Sequence, residues 1–234
     1  MISEEEMSLI EIQTALFFTQ QFQLDYSELY VDFKRDPLVD SLNLQLKYHN
    51  VDNPDDAPAE FPRYQISSNN GKFKVTFFGN RCDIAVSTEL GYTEKNQSDL
   101  SALIFKLISE KNVKINRIGH VSKYLFKNKT PSKTIKLHFL KLDNDEDVID
   151  ADVTFGFRNK NNISEYNEIY TFSQVDYSDF NTGISERCVL VTQDYNTIKN
   201  NENNFTSDDY IAFISSKPNQ KINKYLDFFK DSNE

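Results

Sequence analysis

The sequence has only two cysteines, three histidines and six glycines in 234 residues, and each scarcity removes a class of protein. Cys82 and Cys188 lie far apart, each following an arginine in a strand-like segment, which fits buried free thiols and excludes a disulfide-stapled scaffold. The glycines at 71, 79, 91, 119, 156 and 183 are isolated, and none opens the spacing that cradles phosphate, so the common nucleotide-binding loops are excluded. His49, His120 and His138 are widely separated, which leaves neither a His/Cys zinc set nor a histidine paired with a nucleophile. No apolar run reaches the roughly 18 residues of a membrane span. The start, Met1-Ile-Ser-Glu-Glu-Glu, is acidic where a secretory signal is basic and then apolar, so a cytoplasmic protein is expected.

Catalytic and metal patterns fail one by one. The single Asp-x-Lys, Asp32-Phe33-Lys34, falls in a predicted helix, whereas a two-metal nuclease needs it on a strand. Asp143, Asp145 and Asp147 imitate the start of a calcium loop, but Val148 stands where the turn glycine belongs and Thr154 where the bidentate acid belongs. Asp52, Asp55, Asp56 and Glu60 read as a solvated acidic cluster. No catalytic residue, metal or cofactor is signalled, and no enzyme is expected.

What the chain does have is aromatic mass and negative charge. Nineteen phenylalanines and twelve tyrosines carry much of the apolar content, which strands accommodate well. Acidic residues outnumber basic ones 36 to 26, for a net charge of −10. A field of that sign repels phosphate backbones and disfavours direct nucleic-acid binding, while it steers the protein toward a partner with a basic surface.

The hydropathy pattern predicts an α+β protein. Residues 9–22 form a first strand with weak alternation, and Asp25-Tyr-Ser-Glu28 has the spacing that caps a helix bearing Leu29, Tyr30 and Phe33 on one face. Residues 36–48 fit a helical turn after Pro37 or a strand through Leu42, Leu44, Leu46 and Tyr48. Strands at 63–67, 72–78 and 81–88 are joined by the turn signals Asn69-Asn70-Gly71 and Gly79-Asn80. Residues 99–111 make the clearest helix, capped by Ser98 or Asp99. A long strand covers 113–126, and residues after Pro131 fit either a helix or a strand. Further strands follow around Val153 to Phe157, Tyr166 to Phe172 and 187–194, with helix over 207–230 broken near Pro218.

Two stretches repeat. Asn80-Arg81-Cys82-Asp83-Ile84 returns 106 positions later as Glu186-Arg187-Cys188-Val189-Leu190, and at an offset of 107 Leu103, Ile104 and Leu107 fall on Tyr210, Ile211 and Ile214. The pattern predicts an internal duplication. Its halves, 1–112 and 113–234, are each an antiparallel β-meander with packed helices, and together they form a saddle-like or clam-like body, with one compact domain as the alternative.

Asp56-Ala57-Pro58-Ala59-Glu60-Phe61-Pro62-Arg63, the strand from Arg81 to Val86, and Ile115-Asn116-Arg117-Ile118-Gly119 together resemble a sporadically distributed group of uncharacterised bacterial proteins. Members carry an acidic Ala-Pro-Pro-Glu-x-Pro-Arg loop and an Ile-x-Arg-Ile-Gly strand. The likeness covers about residues 56–121. Ala59 departs from the pattern where the group has a second proline. The resemblance implies a bacterial or phage source and an accessory or phage-conflict role, and it brings no catalytic residues.

Basic residues gather at Lys111, Lys114, Arg117, His120, Lys123, Lys127 and Lys129, interleaved with Tyr124 and Phe126, with Arg63 and Arg81 expected nearby in the sheet. An edge strand protected by lysines is one reading and an anion or partner site the other. The candidate site is therefore Arg63, Arg81, Arg117, His120, Lys123 and Arg187. The expected function is that of a non-enzymatic module binding another protein, as an inhibitor, adaptor or sensor in a bacterial or phage defence or counter-defence system. The alternative is a small-molecule or nucleotide (anion) binding domain that uses arginines in the cleft between the halves.

Overall fold

The computed structural model describes residues 7–19, 25–51, 57–88, 92–127, 130–136, 139, 151–178, 185–200 and 202–216. The acidic runs at 52–56 and 143–150, Lys129, His138, and the helical face expected at Ile222, Tyr225, Leu226 and Phe229 lie outside them. The chain is α+β, built on one antiparallel sheet of nine strands.

Strand β1 (Met7–Phe18) leads into helix α1 (Tyr26–Arg35), where the Asp25 carboxylate accepts from the amides of Ser27 and Glu28, and Leu29 and Phe33 are buried. The ambiguous stretch that follows resolves into both of its readings. Asp36 caps the short helix α2 (Pro37–Ser41), Asn43 turns the chain at φ 51°, and strand β2 (Leu46–Asn50) begins. Strands β3 (Pro62–Ser68), β4 (Phe73–Phe78) and β5 (Arg81–Ser87) form the expected meander, with Gly71 at φ 70° in the first turn.

Helix α3 (Glu94–Glu110) begins five residues before the expected start at residue 99. The reason is Thr93, whose hydroxyl accepts from the Asn96 amide while the Asn96 side chain accepts from the Thr93 amide, a capping box upstream of the apolar stripe. Strand β6 (Ile115–Lys127), helix α4 (Pro131–Ile135), strands β7 (Asp152–Lys160), β8 (Glu165–Ser178) and β9 (Ser185–Thr197), and helix α5 (Ser207–Ser215) complete the order. A second capping box, Thr206 with Asp209, starts α5. In both helices an aromatic residue precedes the capping threonine, Tyr92 and Phe205.

The sheet order is β2-β3-β4-β5-β1-β6-β9-β8-β7. The two halves share this one sheet, because β1 and β6 pair antiparallel at its centre across the expected 112/113 boundary, with Thr14 opposite His120 and Leu16 opposite Ile118. Each of these central strands also pairs with the last strand of its own meander, β1 with β5 and β6 with β9.

The helices of the described residues all pack on one face. The larger core gathers Leu16, Tyr64, Ile66, Phe77, Cys82 and Ile84 of the sheet with Leu29 and Phe33 of α1, Ile104 and Phe105 of α3, and Tyr210 and Phe213 of α5. A smaller core under α4 joins Ile135 to Tyr124, Phe126, Tyr170, Phe172 and Val191. Between them runs a polar belt. One row across the helix-covered face passes from Ile66, Val75 and Ile84 to Thr14, His120, Tyr195 and Glu168. Thr14 Oγ lies 3.0 Å from the Tyr210 hydroxyl and accepts from Gln97 Nε2 at 2.5 Å, which ties α3 and α5 to the central strand. Glu168, fully buried, accepts from the Tyr170 hydroxyl and from Asn159 Nδ2 at 3.2 Å. Burying these groups is tolerable because they are hydrogen-bonded.

Both thiols are free and buried. The Arg-Cys repeat does not superpose in the fold, however. Cys82 pairs with Leu16 on the helix-covered face, whereas Cys188 is one residue out of phase with Val189 and Val191 and so points to the other face.

Candidate functional site

Among the described residues no helix packs on the second face of the sheet, termed the bare face below although Leu125 and Cys188 on it are buried, and the sequence-predicted site residues divide across the two faces. His120 is on the helix-covered face, 3 % exposed, with Nε2 3.3 Å from Ser122 Oγ. It is a packed histidine in the polar belt, out of reach of any ligand on the bare face. Arg81, Arg117 and Lys123 are on the bare face, in register with Phe17 and Glu11 of β1.

Arg63 and Arg81 are not neighbours, because β4 lies between their strands. Arg63 donates from Nη2 to the Ala57 carbonyl at 2.5 Å and fixes the loop that precedes it. Arg187 sits at the exposed start of β9, roughly 30 Å along that strand from Asn196 and the hollow described below. The four arginines therefore do not converge, and only Arg81 and Arg117 share a hollow.

The basic stripe is also not an edge. Strand β6 lies between β1 and β9, and its lysines are neutralised by pairing. Lys123 Nζ reaches Glu11 Oε1 at 2.7 Å, Lys127 reaches Glu186 at 2.6 Å, and Lys111, just before the strand, reaches Glu28 at 2.9 Å. The sheet's true edges are β2 and β7.

On the bare face one row reads Gln65, Thr76, Asp83, Ala15, Gly119, Asn196 and Asn167. Ala15 and Gly119 are the smallest side chains in it and sit side by side on the two central strands, which opens a hollow of about 210 Å³. A wall of Arg81, Phe17 and Arg117 bounds it on one side and Gln13, Val121 and Asp194 on the other. A second depression of about 590 Å³ adjoins it through Gln13 and Asp83 and extends over Gln65, Lys74 and Thr76 to Val51 and Pro62.

The arginines are held rigidly. Arg81 packs its guanidinium 4.3 Å from the Phe78 ring centre and pairs with Asp83 at 3.1 Å, and Arg117 lies 4.8 Å from the Phe17 ring centre. Burial raises the Asp83 carboxyl from its ordinary value, with the Arg81 charge and hydrogen bond opposing that rise. Arg117 Nη2 donates to Asn196 Oδ1 at 3.0 Å, and Asn196 Nδ2 donates to Asp194 Oδ1 at 2.9 Å. The arrangement offers hydrogen bonds and charge in a shallow site. Among the described residues no group of three His, Cys, Asp or Glu gathers to hold a metal ion, and no helix is long and apolar enough to cross a membrane.

Sequence reasoning missed Gln13, Asp83, Asp194 and Asn196. The available signal was the period of two in β1, where Gln13, Ala15 and Phe17 oppose Ile12, Thr14 and Leu16. It was masked because Phe17 is apolar on the bare face and Thr14 polar on the covered one. Comparison with known protein families and with curated proteins finds no match to this chain.

Proposed function

We propose that this chain is a non-enzymatic module that binds a segment of another protein across the bare face of its sheet. The observation that carries the reading is the pair of adjoining depressions on a helix-free face, the smaller floored by Ala15 and Gly119 and lined by Arg81, Arg117 and Asp194, which are held by Asp83 and Asn196. Such a surface is preorganised, so little side-chain entropy is lost on binding. The charge acts at two ranges. The net −10 steers the molecule toward a partner with a basic surface, and the hollow reads one short segment once contact is made. A role as inhibitor, adaptor or sensor in a bacterial or phage conflict system follows from the resemblance over residues 56–121 and belongs to the same proposal.

The halves are part of it. We read β1 through α3 and β6 through α5 as a duplicated unit of strand, helix, meander and helix, joined through β1 and β6. The supporting offset is 113 positions at the capping threonines, Thr93 and Thr206, in place of 107. This sets Gln97 against Tyr210 and Leu100 against Phe213, all of them buried.

Site-specific photo-crosslinking tests the reading. A photoreactive residue at Gln65 or Thr76, on the bare face, is expected to capture a partner in cells of the source organism, and one at Lys106, on the exposed side of α3, is expected to capture none. Capture from Lys106 alone, or from no position at physiological salt, overturns it.

A further inference from the structure

The hollow at Ala15 and Gly119 has a charge pattern that a peptide-binding groove does not require. Of the ion pairs on this face, Arg81 is matched by Asp83 and Lys123 by Glu11. Among the charged residues that line the hollow, Arg117 and Asp194 are the two without such a pair. Among the described residues neither has an opposite charge within 4.0 Å, and Arg117 Nε is buried without an acceptor. They stand on opposite walls of the hollow and are held there by one side chain. Asn196, 3 % exposed, accepts from Arg117 and donates to Asp194. Asn167 Nδ2 fixes the Asn196 amide from the next strand at 3.3 Å.

We propose that this hollow binds a small zwitterion, with a free α-amino acid as the ligand class. A carboxylate against the Arg117 guanidinium and an ammonium group against the Asp194 carboxylate satisfy both walls at once. A simple anion meets the Asp194 charge and a simple cation meets the Arg117 charge, so each is matched at one end and opposed at the other. Size agrees. At about 210 Å³ the hollow falls below the roughly 300–1,000 Å³ of sites that enclose a nucleotide or drug-sized ligand. Phe17 and Val121 supply apolar surface between the charged ends, which favours a short aliphatic side chain over a charged one. This site lies in the hollow that the protein-binding reading also uses, but it rests on a different observation, the Arg117 and Asp194 charges, so an amino acid and a partner segment would compete for it.

Ligand-dependent thermal stabilisation of the full chain tests it, with L-alanine, L-valine, acetate, ethylammonium and the dipeptide Ala-Ala as probes. Expected is a midpoint that rises with the concentration of an aliphatic amino acid, while acetate and ethylammonium, alone or mixed, have no effect at the same concentration. R117Q and D194N should each weaken binding by about tenfold or more, the loss of one charge-assisted hydrogen bond. G119L, whose side chain enters the hollow where a Cβ meets Ala15 Cβ at an ordinary 3.5 Å, should abolish it. Ala-Ala binding in place of alanine assigns the same zwitterion chemistry to a peptide source and overturns the free amino acid. No response to alanine or valine, acetate binding as tightly as alanine, or unchanged binding in a folded G119L protein each overturns the zwitterion site.

Discussion

Removing one buried hydroxyl should loosen both halves of the molecule together. Thr14 on β1 and Tyr210 on α5 are 196 positions apart, both fully buried, with their hydroxyls 3.0 Å apart. Thr14→Val keeps the shape and deletes the oxygen, and Tyr210→Phe deletes the other. Each leaves a buried polar group short of a partner, a loss of about 1–3 kcal/mol. The lower end applies because Gln97 Nε2 retains Ser101 Oγ at 2.9 Å. We expect about 1–1.5 kcal/mol for each single variant, or roughly 2–6 °C in melting temperature for a chain of this size. Because both variants remove the same bond, the double variant should cost well under the total of the two, with a coupling of about 1 kcal/mol. Urea denaturation of the four proteins gives the cycle. Coupling below about 0.3–0.5 kcal/mol, within the additivity of independent sites, would refute the bond and with it the tie between α5 and the central strand.

Four further outcomes follow from the geometry. Gly71→Ala should destabilise by about 1 kcal/mol in a melting experiment because residue 71 sits at φ 70°, whereas Gly119→Ala should leave the midpoint nearly unchanged, its new methyl meeting Ala15 Cβ at 3.5 Å. Burial pushes the Tyr64 and Tyr124 hydroxyls up to about 12, so ultraviolet titration of the folded protein should show tyrosines still protonated near pH 11. These tyrosines hold their protons longer when folded than when unfolded. Their contribution to stability is therefore full below the ordinary tyrosine value of 10.0 and is lost as pH rises from there toward about 12, which denaturation midpoints across that range will read. Burial also raises both thiols, so Cys82 and Cys188 should resist a thiol reagent at pH 8 in the native protein and react fully in denaturant.

The order of strands and helices was largely legible because turns and caps are local. Asn69-Asn70-Gly71 and Asp25-to-Glu28 announce their structures within four residues. Ambiguity at 36–48 arose because a five-residue helix and a five-residue strand share one short apolar stretch, which no period resolves. The start of α3 was misplaced because the apolar stripe, which begins at Leu100, was given more weight than the Thr93-to-Asn96 spacing ahead of it.

The site was far less legible, since a face is defined by strand order and register, and both are long-range. The basic stripe resembled a surface because lysines recur along it, yet their acidic partners come from β1, α1 and β9. The Arg-Cys repeat matched in letters and failed in phase. A shift of one residue exchanges the faces of a strand, and an offset of 106 does that between β5 and β9.

Partner binding at the Ala15 and Gly119 hollow, as proposed, is open to direct measurement. With a captured partner purified, its dissociation constant should be measured for the native chain, for G119L and for K106E on the exposed side of α3. Binding at the hollow should be weakened about tenfold or more by G119L, as expected when a packed contact is blocked, and unchanged by K106E. Equal affinity for G119L and the native chain, or weakening by K106E alone, would contradict it.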